Sequence, residues 1–368
     1  MKQYSIKSGD RVVIKVGTSL ITEGPRPRKK FISELARQIS VLRESGIKVS
    51  LVSSGAVGTG MGILGIDKRP SVIQEHQAVA SIGQAKLMEI YRQLFDTYDI
   101  MIAQILLTRD DLSDRRRHLN AKNTIEKLFS WNVLPIINEN DTVVVEELKF
   151  GDNDNLAALV SLLIDADFLI ILTDVDGFYD KDGKIISLVD EITDEMKKIA
   201  KNTDTEISRG GMNSKLLACE IAIESGISAI IANGNEKEIL IKILNNEKVG
   251  TLFKTKDTRV SGRKRWIAYH MKKKGSLVID DGAAVALKEK GKSLLPSGIT
   301  EVNGRFERGD AVEIIDKNKN VLGAGIVQYD FAEVNEIKGA QSKDIEKRLG
   351  YTFGSEVIHR DDMVISGE

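Results

Sequence analysis

Runs of Val, Ile and Leu ending in glycine or small polar residues alternate, over the first two thirds of the chain, with stretches whose apolar residues recur at helical spacing. RVVIKV (11–16) is the first strand-like run and stops at Gly17, and FISELARQISVLRESG (31–46) reads as a helix with a glycine stop. KVSLVSSG (48–55) is again a strand running into a glycine. The pattern over 71–98 predicts a long helix, with a break near Gly83. The apolar run IMIAQILLT (100–108), a helical stretch around 118–130 and the strand VLPIIN (133–138) follow. TVVVEELKF (142–150) predicts a strand or hairpin. Then come a helix over 154–164, the strand FLIILT (168–173), a helix after Gly211, the strand SAIIA (228–232) and a helix near 236–245. Strand runs that are apolar throughout, set between helices, predict an α/β fold: a doubly wound, mostly parallel sheet with helices on both faces.

The pattern changes after about residue 250. Residues 254–274 hold nine Lys or Arg against one Asp, and short strand-like runs separated by glycines follow: GSLVIDDGAAVAL, GDAVEIID and VLGAGIVQY. They predict a small β-rich domain. The expected organisation is one domain over 1–255, a basic linker over 256–272 and a second domain over 273–368.

Composition narrows the function classes. A net charge of -1 gives no global attraction to nucleic acid or anionic membranes. The lone Cys219 excludes an internal disulfide framework and a cysteine-rich zinc site, and four scattered histidines argue against a histidine metal cluster. The N-terminus lacks an apolar signal core, and Asp165 and Asp167 interrupt the longest apolar run. A cytoplasmic location and no membrane span are expected.

Open α/β sheets bind ligands beyond the carboxyl ends of their strands, and the polar outliers fall there. The first strand ends IKVGTS, setting Lys15 beside a glycine turn whose N–H groups suit phosphate. The second ends SSGAVGTG with Ser53 and Ser54. INENDTV supplies Asn138, Asn140 and Asp141, and LTDVDG supplies Thr173 and Asp174. SRGGMNSKLLA puts a glycine pair ahead of a helix bearing Lys215. Asp152, Asn153, Asp154 and Asn155 crowd the start of the 154–164 helix, where a single N-cap would suffice. Each signal has a plainer counterpart: a lysine snorkelling from an edge strand, a flexible loop, a glycine turn, an Asp174–Gly177 turn, Met212 as packing, Cys219 as a core residue. Their conjunction favours polyphosphate binding by two lysines and a small charged substrate bearing an ammonium group. There is no GxxxxGK[ST] P-loop. GMGILG (60–65) has the spelling of a dinucleotide fingerprint but follows no strand that opens a helix on it.

Together VIKVGTSLI, VSSGAVGTG, INENDTV, FGDNDNLAALV, ILTDVDGFYD and GGMNSKLLA, in this order over residues 10–250, closely resemble the amino-acid kinase family, in its glutamate-phosphorylating branch. The tail resembles a PUA barrel domain. KVGTS departs from the KFGGTS of aspartokinases. The resemblance implies ATP-dependent phosphorylation of the γ-carboxylate of L-glutamate to L-glutamate 5-phosphate, the first step of proline biosynthesis. It implies Lys15, Lys215 and Asp154 as catalytic, Asp154 holding the lysines in place. It implies Ser54, Gly55, Ala56, Asn138, Asp141 and Asn153 on glutamate. On ATP it implies Lys15, Gly17, Thr18, Thr173, Asp174, Arg209, Gly210, Gly211, Met212, Asn213, Ser214 and Lys215. Mg²⁺ would be held by the nucleotide, with no metal ligand from the protein. Assembly into dimers or tetramers, inhibition by proline and transfer of the product to a glutamate 5-phosphate reductase are further family properties that no residue of the sequence shows. Two rival readings remain. One is another carboxylate substrate. The other, less favoured, is RNA binding through the PUA domain and the basic stretch around Arg263–Arg265 and Lys272–Lys274; residues 251–368 carry 21 basic and 18 acidic side chains, so the tail is barely positive.

Overall fold

The structure is a computed structural model that describes residues 5–24, 26–143, 153–203, 211–255 and 273–365. The chain divides into two compact units, Met1–Leu112 with His118–Asp257, and Ser113–Arg117 with Thr258–Glu368.

The first unit is built in the order β1 (Arg11–Val16), α1 (Thr18–Ile21), β2 (Thr22–Glu23), β3 (Arg26–Pro27), α2 (Lys29–Glu44), β4 (Lys48–Ser53), α3 (Ala56–Leu64) and α4 (Ile73–Phe95). It continues through β5 (Ile102–Leu107), α5 (Arg109–Ser113), α6 (Arg115–Ser130), β6 (Leu134–Glu139), α7 (Asn153–Leu163) and β7 (Phe168–Thr173). The last elements are β8 (Leu188–Val189), α8 (Asp194–Thr203), α9 (Met212–Glu224), β9 (Ser228–Asn233), α10 (Ile239–Leu244) and β10 (Thr251–Phe253). Eight strands form one sheet in the order β5-β6-β4-β1-β7-β9-β10-β8. All neighbours are parallel except β9 and β10, so the expected mostly parallel sheet is present. β1 lies between β4 and β7, Lys15 being in register with Val52 and Ile171. The chain winds outward from β1 to β5 on one side and resumes at β7 on the other. That reversal opens the crevice where such folds bind ligands.

Alternation along β1 sorts its side chains between two layers. Val12, Ile14 and Val16 pack into a core with Leu35 and Ile39 of α2, Leu87 and Tyr91 of α4, and Leu240 of α10. Val13 packs into the opposite core with Leu156 and Val160 of α7 and Leu216 and Cys219 of α9. Lys15 shares the parity of Val13, which turns it toward α7.

The break expected near Gly83 does not occur; α4 runs unbroken from Ile73 to Phe95. The glycine serves a close approach instead. A Cβ there would stand 1.8 Å from the Ala56 carbonyl oxygen, and one on Gly60 would stand 2.0 Å from that of Val79. The α3 and α4 backbones therefore touch, and GMGILG lies within α3 and its cap rather than opening a helix. Of TVVVEELKF, Thr142 and Val143 lie in a turn, and 144–150 are outside the described residues.

The second unit centres on a five-stranded sheet of order β12-β11-β13-β14-β15, formed by β11 (Lys273–Ile279), β12 (Ile299–Gly304), β13 (Ala311–Ile315), β14 (Val321–Ile326) and β15 (Met363–Ile365). GSLVIDDGAAVAL is half strand and half helix: the strand stops at Ile279, and a helix spans Asp281–Lys290. The Asp280 carboxylate accepts from the Ala283 N–H at 2.7 Å, and Gly291 closes the helix at φ +53°. A good N-cap, helix-forming alanines and a left-handed glycine outweigh the β-like look of the run. The basic linker of 256–272 lies outside the described residues. Among the described residues no helix is long and apolar enough to cross a membrane.

Candidate active site

The first turn of α7 carries two buried polar residues in succession, and they face different loops. Asp154, with no exposed surface, meets Lys15 through Oδ1 at 2.5 Å and Lys215 through Oδ2 at 3.2 Å. The Ser214 hydroxyl donates to the same Oδ2 at 2.9 Å. Lys15 reaches it from β1 and Lys215 from α9, and both are buried. Ion pairs of this kind hold only where every charge has a partner, because desolvation is costly. Here one carboxylate is shared by two ammonium groups.

Asn153 faces the other way. Its Nδ2 donates to Ser53 O at 2.6 Å, Asn138 Oδ1 at 2.7 Å and Ser54 Oγ at 3.2 Å. It thereby ties α7 to the ends of β4 and β6. Its Oδ1 has no hydrogen-bond partner among the described residues. Gly55 follows Ser54 at φ +97°, a left-handed conformation that opens α3, and a Cβ there would stand 2.8 Å from the Ile21 side chain. Ala56 is buried beside it. Asp141 is half-buried, on the turn after β6.

On the Lys215 side a cavity of about 280 Å³ is lined by Thr173, Asp174, Phe178, Tyr179, Ile199 and Met212, together with Val175, Asp180, Gly211 and Lys215. Apolar and aromatic walls with a lysine at one end suit a nucleotide base and its phosphates. Thr173 is buried and its hydroxyl donates to Asp174 Oδ1 at 3.1 Å. Gly17 caps the short α1 and donates its N–H to Leu172 O; Thr18 is exposed. Asn213 is half-buried on the first turn of α9. Arg209, Gly210 and Asp152 lie outside the described residues. Burial pushes the Cys219 thiol far up, the Asp154 charge adding to this and Lys215 opposing it, so Cys219 stays a protonated core residue.

The sequence therefore brought forward residues that meet around α7: Lys15, Lys215, Asp154 and Ser214 in one group, Ser54, Asn138 and Asn153 in the other. It did not bring forward Phe178, Tyr179 and Ile199 as cavity walls, although FYD follows directly on the aspartates of LTDVDG. It also gave no role to Gln84 and Tyr91 of α4, whose side chains end on Asn138 and Ser53 at 2.8 Å each. The only signal was a polar residue on a core-facing helix position.

Two lysines thus meet one buried carboxylate at the crevice of a doubly wound sheet, and comparison with known proteins gives the family. The model of the amino acid kinase family matches residues 10–233 and that of the PUA domain matches residues 275–349. This chain belongs to the amino acid kinase family. Among its relatives, the glutamate 5-kinase of Thermoanaerobacter sp. (strain X514) is 48% identical, over 96% of this chain and 97% of that one. The glutamate 5-kinase of Citrifermentans bemidjiense is 43% identical, over 99% of this chain and all of that one.

Proposed function

We propose that this chain transfers the γ-phosphoryl group of ATP to the γ-carboxylate of L-glutamate, giving ADP and L-glutamate 5-phosphate for proline biosynthesis. The observation that carries the reading is the pair of neighbours at the start of α7: Asp154 gathers two lysines beside the nucleotide-sized cavity, and Asn153 faces the serine loop. The acceptor carboxylate is already ionised at neutral pH, so no general base is required. Its oxygen bonds to the γ-phosphorus as the bond to the β–γ bridging oxygen breaks, and the electron pair leaves with ADP. Lys15 and Lys215 offset the negative charge on the transferring group, and Asp154 fixes where the two ammonium groups stand. Asn153 Oδ1 and Asp141 supply acceptors for the substrate ammonium, and the Ser54 hydroxyl and loop N–H groups receive a carboxylate. Thr173, Asp174, Gly211–Lys215, Gly17 and Thr18 attend the nucleotide, and Arg209 and Gly210, outside the described residues, are assigned to it by the same resemblance. Mg²⁺ would be held by the nucleotide phosphates and would offset their charge.

ADP release measured across glutamate, N-acetylglutamate and aspartate tests the substrate, and turnover on glutamate alone is the expected result. Preference for either of the others overturns the assignment. For Asp141→Ala, the glutamate KM is expected to rise about ten-fold while the ATP KM moves less. A larger ATP effect would remove Asp141 from the acceptor pocket. RNA binding as the main activity is disfavoured by charge: residues 251–368, the basic stretch included, carry 21 Lys or Arg against 18 Asp or Glu and are barely positive. Domains over 1–255 and 273–368 joined by a linker over 256–272 belong to the same proposal and rest on the change of sequence pattern; a dimeric or tetrameric assembly, inhibition by proline and a reductase partner rest on family resemblance.

A further inference from the structure

The acceptor side of the site is held from both faces of the sheet. α7 arrives from one layer with Asn153; α4 belongs to the other layer, which holds Tyr91 and Leu87. Gln84 and Tyr91 are seven residues apart, two helical turns, and so lie on one face of α4. Both are buried, and both end in hydrogen bonds to residues that Asn153 also touches.

The direction of each bond is fixed by its neighbours. Asn138 Oδ1 accepts twice, from its neighbour Glu139 N at 2.9 Å and from Asn153 Nδ2 at 2.7 Å. Its Nδ2 must point away from those donors, and there the acceptor is Gln84 Oε1 at 2.8 Å. A flipped Asn138 would set its NH₂ against two donors and its oxygen against Gln84 Oε1. The Glu139 N–H and Asn153 Nδ2 thus fix Asn138 Oδ1, and Gln84 Oε1 adds to that orientation by taking the Nδ2 hydrogen it leaves. At the second point the Ser53 hydroxyl donates its one hydrogen to Ser54 O at 3.0 Å, which leaves the Tyr91 O–H to donate to Ser53 Oγ at 2.8 Å. Burial pushes the Tyr91 phenol far up, with the Ser53 bond opposing, so this donor keeps its proton throughout the working pH range. The bond orients the Ser54 peptide that leads into left-handed Gly55. The close passage of α4 over α3 at Gly83 and Gly60 leaves little play in where these two side chains stand.

We propose that Gln84 and Tyr91 are positioning residues for the acceptor substrate. They orient the Asn138 amide and the Ser53–Ser54 peptide, and through them the Asn153 amide whose oxygen faces the ligand. The inference rests on the acceptor-pocket reading given above. Its action is specific to one substrate, because neither residue touches Asp154, the two lysines or the nucleotide cavity among the described contacts.

Steady-state kinetics of the full chain test it, beginning with the wild type. Gln84→Met keeps the side-chain length, removes the acceptor and strands a buried amide N–H. The expected result is a rise of about ten-fold in the glutamate KM, with the ATP KM changed by less than about two-fold. Tyr91→Phe should show the same selectivity with a smaller rise, and serves where the first variant folds poorly. In an Asn138→Ala background, Gln84→Met should add less than about two-fold, since the residue it acts through is gone. An unchanged glutamate KM in a folded variant, parallel rises in both KM values, or a full effect that survives in the Asn138→Ala background would each overturn the positioning role. A wild-type chain that turns over no glutamate would instead overturn the substrate assignment itself, a distinct failure seen before any variant is made.

Discussion

Lys15→Met is expected to lower kcat by about 100-fold or more while leaving the fold nearly as stable as the wild type. The lysine is 1% exposed, and its ammonium stands 2.5 Å from Asp154. Its stem packs in the layer beneath α7, and methionine replaces that stem with similar volume. The electrostatics of folding do not suffer. Removing one of two ammonium groups from a shared carboxylate leaves Asp154 and Lys215 as a one-to-one pair. Activity and stability are thus separated in this variant. Turnover assays with glutamate and MgATP check the first, and urea unfolding checks the second. Wild-type turnover would place the phosphoryl site elsewhere. A collapse in stability would mean that Lys15 is held for the fold rather than for transfer.

Asp154→Ala should do the reverse on stability and fail equally in catalysis. It removes the carboxylate that two buried ammonium groups share, and breaking a buried pair in this way costs about 3–5 kcal/mol. Urea midpoints should fall accordingly. Adding Lys15→Met to Asp154→Ala should recover part of the loss, because one of the two buried ammonium groups that shared the carboxylate then disappears. If the double variant is less stable than Asp154→Ala alone, the charge argument is wrong and Asp154 matters for packing or for its bond from Ser214.

Much of this site could be read in the chain because its parts sit at strand ends. Apolar runs such as FLIILT mark a strand buried on both faces, and the residue that follows marks a loop at the sheet edge. Lys15, Ser54, Asn138 and Thr173 were found in that way. What escaped depends on distance. Nothing near Gln84 announces a partner 54 residues away, and a buried glutamine on a helix reads as a misplaced surface residue until Asn138 is beside it. Gly83 was read as a helix break because a glycine that lets two backbones touch and a glycine that ends a helix look alike in one strand of text. The helix Asp281–Lys290 was hidden by its small apolar residues, which suit either state until the Asp280 cap and Gly291 are weighed together. β8 and β10, which complete the far edge of the sheet beyond β9, are strands of two and three residues, too short for any periodicity to show.

The uneven ratio of two lysines to one aspartate bears on selectivity. The two lysines are not equally accessible: the Lys15 side chain is 2% exposed, whereas that of Lys215 is 8% exposed and lines the cavity beside Thr173 and Met212. A ligand entering that cavity meets the Lys215 ammonium at one end of it. On the proposed reading the phosphates of a nucleotide would reach that ammonium, and a nucleoside, lacking them, would not. The site would then select for phosphate charge as well as for base.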